Sequence, residues 1–230
     1  MRKTAIIVAA GSGQRMRCKT PKQFIEVAGK PILQHTLEVF ESCNDVDDIM
    51  VVLPPEWAHV YDPIFKKEWN IKKLVHTVTG AGQRHLSVWN GLQAMPHDTE
   101  IVIIHDGVRP LVTHEIIRNS IYSAARDGAA VVGVHSRDTV KQIKDGRVVE
   151  TIPRDDLILV QTPQTFRRDV ILAANRTAFD THRFSTDDAA LAEMAGFPVT
   201  VVQGSWTNIK ITSPEDLKIA EWLLRDRSEK

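Results

Sequence analysis

The 230-residue sequence is poor in cysteine, with Cys18 and Cys43 alone. No CxxC pair or His/Cys metal spacing accompanies them. That excludes a disulfide framework and makes a reducing cytoplasm the expected compartment. Charge of one sign is also missing: 29 Lys and Arg balance 29 Asp and Glu, for a net charge of zero. Bulk attraction to nucleic acid or to a membrane surface is therefore not expected, and local clusters of cations read as sites for small anions. No apolar run is long enough to span a bilayer. The opening MRKTAIIVAAGSG places basic residues before an apolar run, as a signal peptide does, but that run is short and Gln14, Arg15 and Arg17 follow at once. It reads as a buried first strand. His114-Glu115-Ile116-Ile117-Arg118 lacks the second histidine of the zinc motif HExxH. Internal repeats, low-complexity tracts and linkers are absent, so one domain over residues 1–230 is expected.

What is present alternates. Strand-like runs at Thr4–Ala9, Ile49–Leu53, Leu74–Val78, Ile101–His105, Ala129–Val134 and Leu157–Val160 are separated by segments of helical period. Ile32, Leu33, Thr36, Leu37 and Phe40 share one helical face; so do Trp57, Tyr61, Ile64 and Phe65. Further helices are predicted over Gln83–Ala94, around Ile116–Ala124, over Asp169–Phe179, from Ser185–Asp188 to Gly196, and from Ser213-Pro214-Glu215-Asp216 onward. The rhythm predicts an α/β, Rossmann-like fold: a mostly parallel sheet with helices on both faces. It breaks at Thr139–Lys144 and Arg147–Ile152, alternating runs around Asp145-Gly146. Asp-Gly in that setting signals a hairpin. Residues 136–157 thus read as a projecting arm, and a second copy of the chain is the simplest surface for it to pack on.

The first βα turn carries Ala9-Ala10-Gly11-Ser12-Gly13-Gln14-Arg15-Met16. Glycines there let backbone N–H groups approach an anion. Met16 stands where a dinucleotide loop would want its third glycine, no acid ends the second strand, and GxxxxGK[ST] is absent. The loop instead offers Arg15 and Lys22, two cations that suit charge growing during a reaction; ordinary solvated side chains are the alternative. Asp106, after a run of apolar residues, reads as a magnesium ligand or a turn cap. His105 is either mechanistic or a hydrogen-bonded core histidine. Lys210, within Ile209–Ile211, faces either solvent or a site. Arg84 and Ser87 open a helix after Gly80-Ala81-Gly82, as an anion or ribose contact or as a plain cap.

AAGSGQRM, PKQF, HDGVRP, RDTVK, QTPQTF, TDDAAL and NIKITSPEDL follow in this order across nearly the whole chain. That array resembles the 2-C-methyl-D-erythritol 4-phosphate cytidylyltransferase family of non-mevalonate isoprenoid synthesis. The resemblance implies transfer of a cytidylyl group from CTP to a polyol phosphate, with Mg2+ or another divalent cation. It implies that Arg15 and Lys22 stabilise the transition state at the α-phosphate, and that Arg154 and Lys210 position the attacking phosphate. Ala9, Ala10, Gly11, Ser12, Gly13, Gly82, Arg84, Ser87 and Asp106 would bind the nucleotide. Asp106, Arg109, Thr139, Arg154, Thr162 and Lys210 would bind the polyol phosphate, and Asp106 the metal. It further implies a homodimer whose arms complete each other's sites, with no nucleic-acid or membrane partner. Ribitol 5-phosphate cytidylyltransferases share much of the array and are one alternative. An NAD(P)-dependent oxidoreductase and a non-catalytic nucleotide-binding domain are more distant ones.

Overall fold

Strand β1 (Arg2–Val8) lies at the middle of the molecule because Ala5, Ile6 and Ile7 are apolar toward both faces, and all three are fully buried. The computed structural model describes residues 1–11 and 20–228. Ser12 and Gly13, expected to bind the nucleotide, and Arg15, expected to stabilise the transition state, lie outside the described residues, as does Cys18.

From β1 the chain runs through α1 (Ile32–Ser42) to β4 (Asp48–Leu53), after the two-residue strands β2 (Glu26–Val27) and β3 (Lys30–Pro31). Next come α2 (Pro55–Lys67), β5 (Leu74–Thr79), α3 (Arg84–Ala94), β6 (Thr99–Asp106), α4 (His114–Asp127) and β7 (Ala129–His135). The arm follows as β8 (Val140–Lys144) and β9 (Arg147–Ile152). The chain then closes with β10 (Ile158–Arg167), α5 (Arg168–Thr181), α6 (Asp188–Met194), β11 (Thr200–Gln203) and α7 (Pro214–Ser228).

Seven strands form one sheet in the order β11-β7-β10-β6-β1-β4-β5. Among the described strands of that sheet, β10 alone runs antiparallel to its neighbours, β6 and β7. Every residue of β4 is buried, which is the continuous pattern expected when helices cover both faces. Ala5 and Ile7 join a core with α1, α2 and α4; Ile6 joins another with α3, α5 and α6. The helical face read from Ile32, Leu33, Thr36, Leu37 and Phe40 is the buried face of α1. Burial of each large apolar side chain there contributes about 1.5–3 kcal/mol. A third, smaller core joins α7 to Ile32 and Val108.

The hairpin forms a sheet of its own, with Val140 opposite Ile152 and Lys144 opposite Arg147. Asp145 and Gly146 both take positive φ, as a tight two-residue turn between strands requires. Most of the arm is exposed, including the apolar Ile143, Val148 and Val149.

Three expectations change. The strand expected at Leu157–Val160 is instead Ile158–Arg167, and it takes in the whole of Gln161–Phe166. Its polar residues are buried because each finds a partner, so polarity there marks hydrogen bonding and not a loop. The strand-like run at Ile209–Ile211 is not a strand; Ile211 N–H donates to Val108 O and holds it as an extended connection. The helix expected to open at Ser185 begins at Asp188, capped by the Asp187 carboxylate, which accepts from Ala190 N–H.

Candidate active site

Parallel strands present their carboxyl ends together, and β1 has neighbours on both sides from different parts of the chain. Val8 aligns with Val52 of β4 and with Asp106 of β6. A crevice outside that edge is the expected ligand position in an open α/β sheet. A cleft of about 350 Å3 lies there, lined by Ala9, Ala10 and Gly11, by Lys22, by Gly82, Arg84 and Ser87, and by Asp106 and Lys210. A second cleft, of about 370 Å3, is lined by Arg109, Thr162, Gln164 and Asp187, among others. Arg84, Asp106 and Lys210 line both clefts.

The first loop reaches this edge through close backbone packing. A Cβ at Gly80 would lie 2.3 Å from the Ala10 Cβ, and one at Gly107 2.9 Å from the Ala9 Cβ. Glycine at both positions lets three chain segments converge. Gln23, missed in the sequence, is buried and donates from Nε2 to Ala9 O at 2.7 Å. Phe24 stacks on Tyr61 of α2 at 3.9 Å between centroids. Lys22 is thus carried to the cleft by two anchored neighbours. Ser87 is not the cap of α3, whose N-cap is Gln83; its hydroxyl accepts from Ala81 N–H at 2.9 Å and holds the loop before the helix.

Asp106 is surrounded by cations. Its Oδ2 lies 2.9 Å from Lys210 Nζ and 3.4 Å from Arg109 Nε, and its Oδ1 3.6 Å from Arg84 Nε. Burial alone would push the carboxyl up. Lys210, Arg84 and Arg109 together outweigh it and hold Asp106 well below the usual carboxylate range. Arg84 has a second acid behind it: Nη1 lies 2.8 Å from Oδ2 of Asp188, a carboxylate 1% exposed. Asp188 is the residue of Thr186-Asp187-Asp188 whose role the sequence did not show. It sits at the start of α6, whose first amides, Asp188 N–H and Ala189 N–H, both donate to Gln164 Oε1.

His105 is a core histidine. Burial pushes it down to about 4, so the ring is neutral. Nε2 lies 3.2 Å from Arg109 O, which can only accept, so Nε2 carries the proton. Nδ1 then accepts from the Thr162 hydroxyl at 3.1 Å, and Thr162 Oγ1 accepts from Asp106 N–H at 3.1 Å. This chain of bonds fastens β10 to the end of β6. Thr162 is expected in the polyol-phosphate pocket, and it serves as a strut there as well as a lining residue.

Asp106, Arg109, Thr162, Lys210, Arg84, Ser87, Gly82, Ala9, Ala10, Gly11 and Lys22 are therefore brought to one edge. Thr139 and Arg154 are not among the described residues that line either cleft. Both belong to the arm region and are exposed, and Arg154 Nη1 donates to Arg137 O at 3.1 Å. Arg137 itself packs over the Trp206 ring at 4.4 Å.

Among the described residues no group of three or more His, Cys, Asp or Glu is arranged to hold a metal. A cage built from protein alone is thus not available there. One ionised carboxylate beside a cleft lined by cations does suit Mg2+, which commonly takes one or two carboxylates and completes its shell with water and substrate phosphates. No helix among the described residues is long and apolar enough to cross a membrane.

Comparison with known proteins agrees with this arrangement. A sequence model of the 2-C-methyl-D-erythritol 4-phosphate cytidylyltransferase family (IspD) matches residues 3–226. The protein of that name from Alkaliphilus metalliredigens is 43% identical over 228 residues, covering 98% of this chain and 94% of that relative. The one from Syntrophus aciditrophicus is 44% identical over 223 residues, covering 96% and 95%. Among solved structures, 4-diphosphocytidyl-2C-methyl-D-erythritol synthase from Anaerococcus prevotii superposes with a TM-score of 0.86 at 33% identity, covering 97% of this chain and 98% of that one. The 2-C-methyl-D-erythritol 4-phosphate cytidylyltransferase of Thermus thermophilus does so with 0.80 at 32%, covering 98% and 100%. With a family match over nearly its full length and relatives above 40% identity, this chain belongs to the 2-C-methyl-D-erythritol 4-phosphate cytidylyltransferase family.

Proposed function

We propose that the protein transfers a cytidylyl group from CTP to 2-C-methyl-D-erythritol 4-phosphate and releases pyrophosphate. The observation that carries this reading is a pair of clefts that share Arg84, Asp106 and Lys210: two anionic substrates can meet at one seam that carries two cations. A nucleotide-binding domain without catalysis would need one cleft, and a dinucleotide oxidoreductase would need the third glycine that Met16 replaces.

CTP occupies the cleft along Ala9–Gly11, Gly82, Arg84 and Ser87. The polyol phosphate occupies the cleft along Arg109 and Thr162. An oxygen of its phosphate attacks the α-phosphorus in line, a P–O bond forms, and the bond to pyrophosphate breaks with its electron pair leaving on pyrophosphate. A phosphate monoester with a second pKa of about 6 is already dianionic near neutral pH, so no general base is needed. The neutral His105, with both ring nitrogens engaged, agrees with that. Catalysis then consists of positioning and charge neutralisation. Lys22, with Arg15 before it, neutralises charge at the α-phosphate; Lys210, with Arg109, aligns the attacking phosphate. Asp106 would hold Mg2+, which when bound supplies further neutralisation of the triphosphate.

A homodimer is the quaternary state proposed, with the arm of each chain packed on the other. Exposed Ile143, Val148 and Val149 on a two-stranded element support this, because such an arm is marginal alone. Thr139 and Arg154 then act in the partner's polyol-phosphate cleft. The protein is read as a single nucleotidyltransferase domain working in the cytoplasm.

Pyrophosphate release tests the reading. With CTP and Mg2+, release is expected with 2-C-methyl-D-erythritol 4-phosphate. Release with ribitol 5-phosphate alone, or with neither, overturns it.

A further inference from the structure

We propose that Asn208 is the positioning residue of the polyol-phosphate half of the site. The inference rests on the function proposed above. Asn208 lies in the connection between β11 and α7 and is 0% exposed. It lines neither of the two clefts, yet residues that do are bonded to it or held beside it.

Its amide orientation follows from its neighbours. Gln161 Nε2 donates to Ser205 O at 2.8 Å, which turns Gln161 Oε1 toward Asn208. Asn208 Nδ2 donates to that oxygen at 3.1 Å and to Thr162 O at 2.9 Å. Both amide protons are therefore used on β10, at the residues lining the second cleft. The Asn208 main chain makes two more bonds. Its carbonyl accepts from Arg109 Nη1 at 2.8 Å, and its N–H donates to Ser205 O at 3.0 Å.

Arg109 is thus fixed at two points, Asn208 O and Asp106 Oδ2. Lys210 sits between two anchors: Asn208, and Ile211, which is fully buried and bonded to Val108 O at 2.9 Å. The residues that would grip the attacking phosphate come from three distant parts of the chain and meet at this one residue: Thr162 at its side-chain amide, Arg109 at its main-chain carbonyl, and Lys210 two positions further along the chain. The sequence offers a physical reason for asparagine. Both partners of Nδ2 are acceptors, so the position needs two donors on a short side chain. Aspartate has the shape but no donor, and serine has one.

Asn208→Ala and Asn208→Asp in the full chain, assayed by pyrophosphate release, test the idea. Asn175→Ala is the control. Asn175 is a buried asparagine on α5 whose Nδ2 donates to Ile171 O at 2.9 Å, within its own helix. Both Asn208 variants are expected to raise KM for the polyol phosphate about ten- to a hundredfold, the scale of a displacement near 1 Å in a reacting group. KM for CTP should stay within about twofold of wild type. The control should move neither constant while lowering Tm. An unchanged polyol-phosphate KM, or an equal rise in both constants, overturns the proposal. So does failure of both Asn208 variants to give a cooperative thermal melt, since the residue would then serve folding alone. A wild-type enzyme inactive with methylerythritol phosphate overturns the functional reading and this inference together; an active one with unaltered variants overturns the role of Asn208 only.

Discussion

Lys210 Nζ lies 2.9 Å from Asp106 Oδ2, across the seam shared by the two clefts. The lysine backbone belongs to the segment before α7 and the carboxylate to the end of β6, so the contact joins parts of the chain about a hundred residues apart.

Lys210→Ala is expected to impair use of the polyol phosphate more than that of CTP. Steady-state KM values for the two substrates check this. Equal losses for both would contradict the role assigned to the ammonium group.

Lys22→Ala removes a cation from the cleft proposed for the nucleotide. Loss of one group that stabilises the transition state typically lowers turnover by about two to three decades. Near-normal kcat in the purified variant would remove Lys22 from the chemistry.

Gly80→Ala tests the convergence of loops. The new Cβ would stand 2.3 Å from that of Ala10, on backbone at both ends, so the loops must separate. Overpacking of this kind costs about 1–3 kcal/mol. A lower Tm and weaker CTP binding by calorimetry are expected together; unaltered CTP affinity would show that the first loop does not need the close approach.

His105 makes stability depend on pH. Its folded value is held down to about 4 against an ordinary 6.5 by burial. Between those values the unfolded chain takes up the proton and the folded one does not. The contribution is therefore intact above about pH 6.5 and is lost as pH falls toward 4, by about 3 kcal/mol in all. Thermal melts of wild type and His105→Asn between pH 7.5 and 4.5 measure it. The gap between the two proteins should narrow in acid, and a constant gap would refute the sign.

Arg154 is assigned to the partner's cleft. Lys22→Ala and Arg154→Ala homodimers should each be nearly inactive, but after mixing and subunit exchange half the dimers carry one intact site, giving about a quarter of wild-type turnover. No recovery would place Arg154 in its own subunit's site.

Much of this architecture was legible from period alone. The buried face of α1, the Asp145-Gly146 turn and the strand before Asp106 follow from local pattern and turn chemistry, which need no partner to be recognised. The polar residues of β10 were not legible, because Gln161, Thr162 and Gln164 look like loop residues until their partners in α6, His105 and Asn208 are in place. The same holds for Asp188 and Gln23. Nothing local distinguishes an acid paired with Arg84, or an amide bonded to Ala9, from a solvated one. The ordered motifs pointed to the family, while the reason each motif is polar lies in contacts made across the fold.

The reversed direction of β10 has a consequence for the arm. β7 ends and β10 begins side by side, His135 opposite Ile158, at the same edge of the sheet as the clefts. A parallel strand in that place would have forced the chain back across the whole sheet before re-entering it, as a helix does elsewhere in the fold. An antiparallel one turns the connection into an excursion that leaves and returns at the catalytic rim. Everything inserted there, hairpin included, leaves from the edge that carries the clefts, so lengthening or exchanging this one connection changes what reaches a neighbouring site without disturbing a single layer of the core.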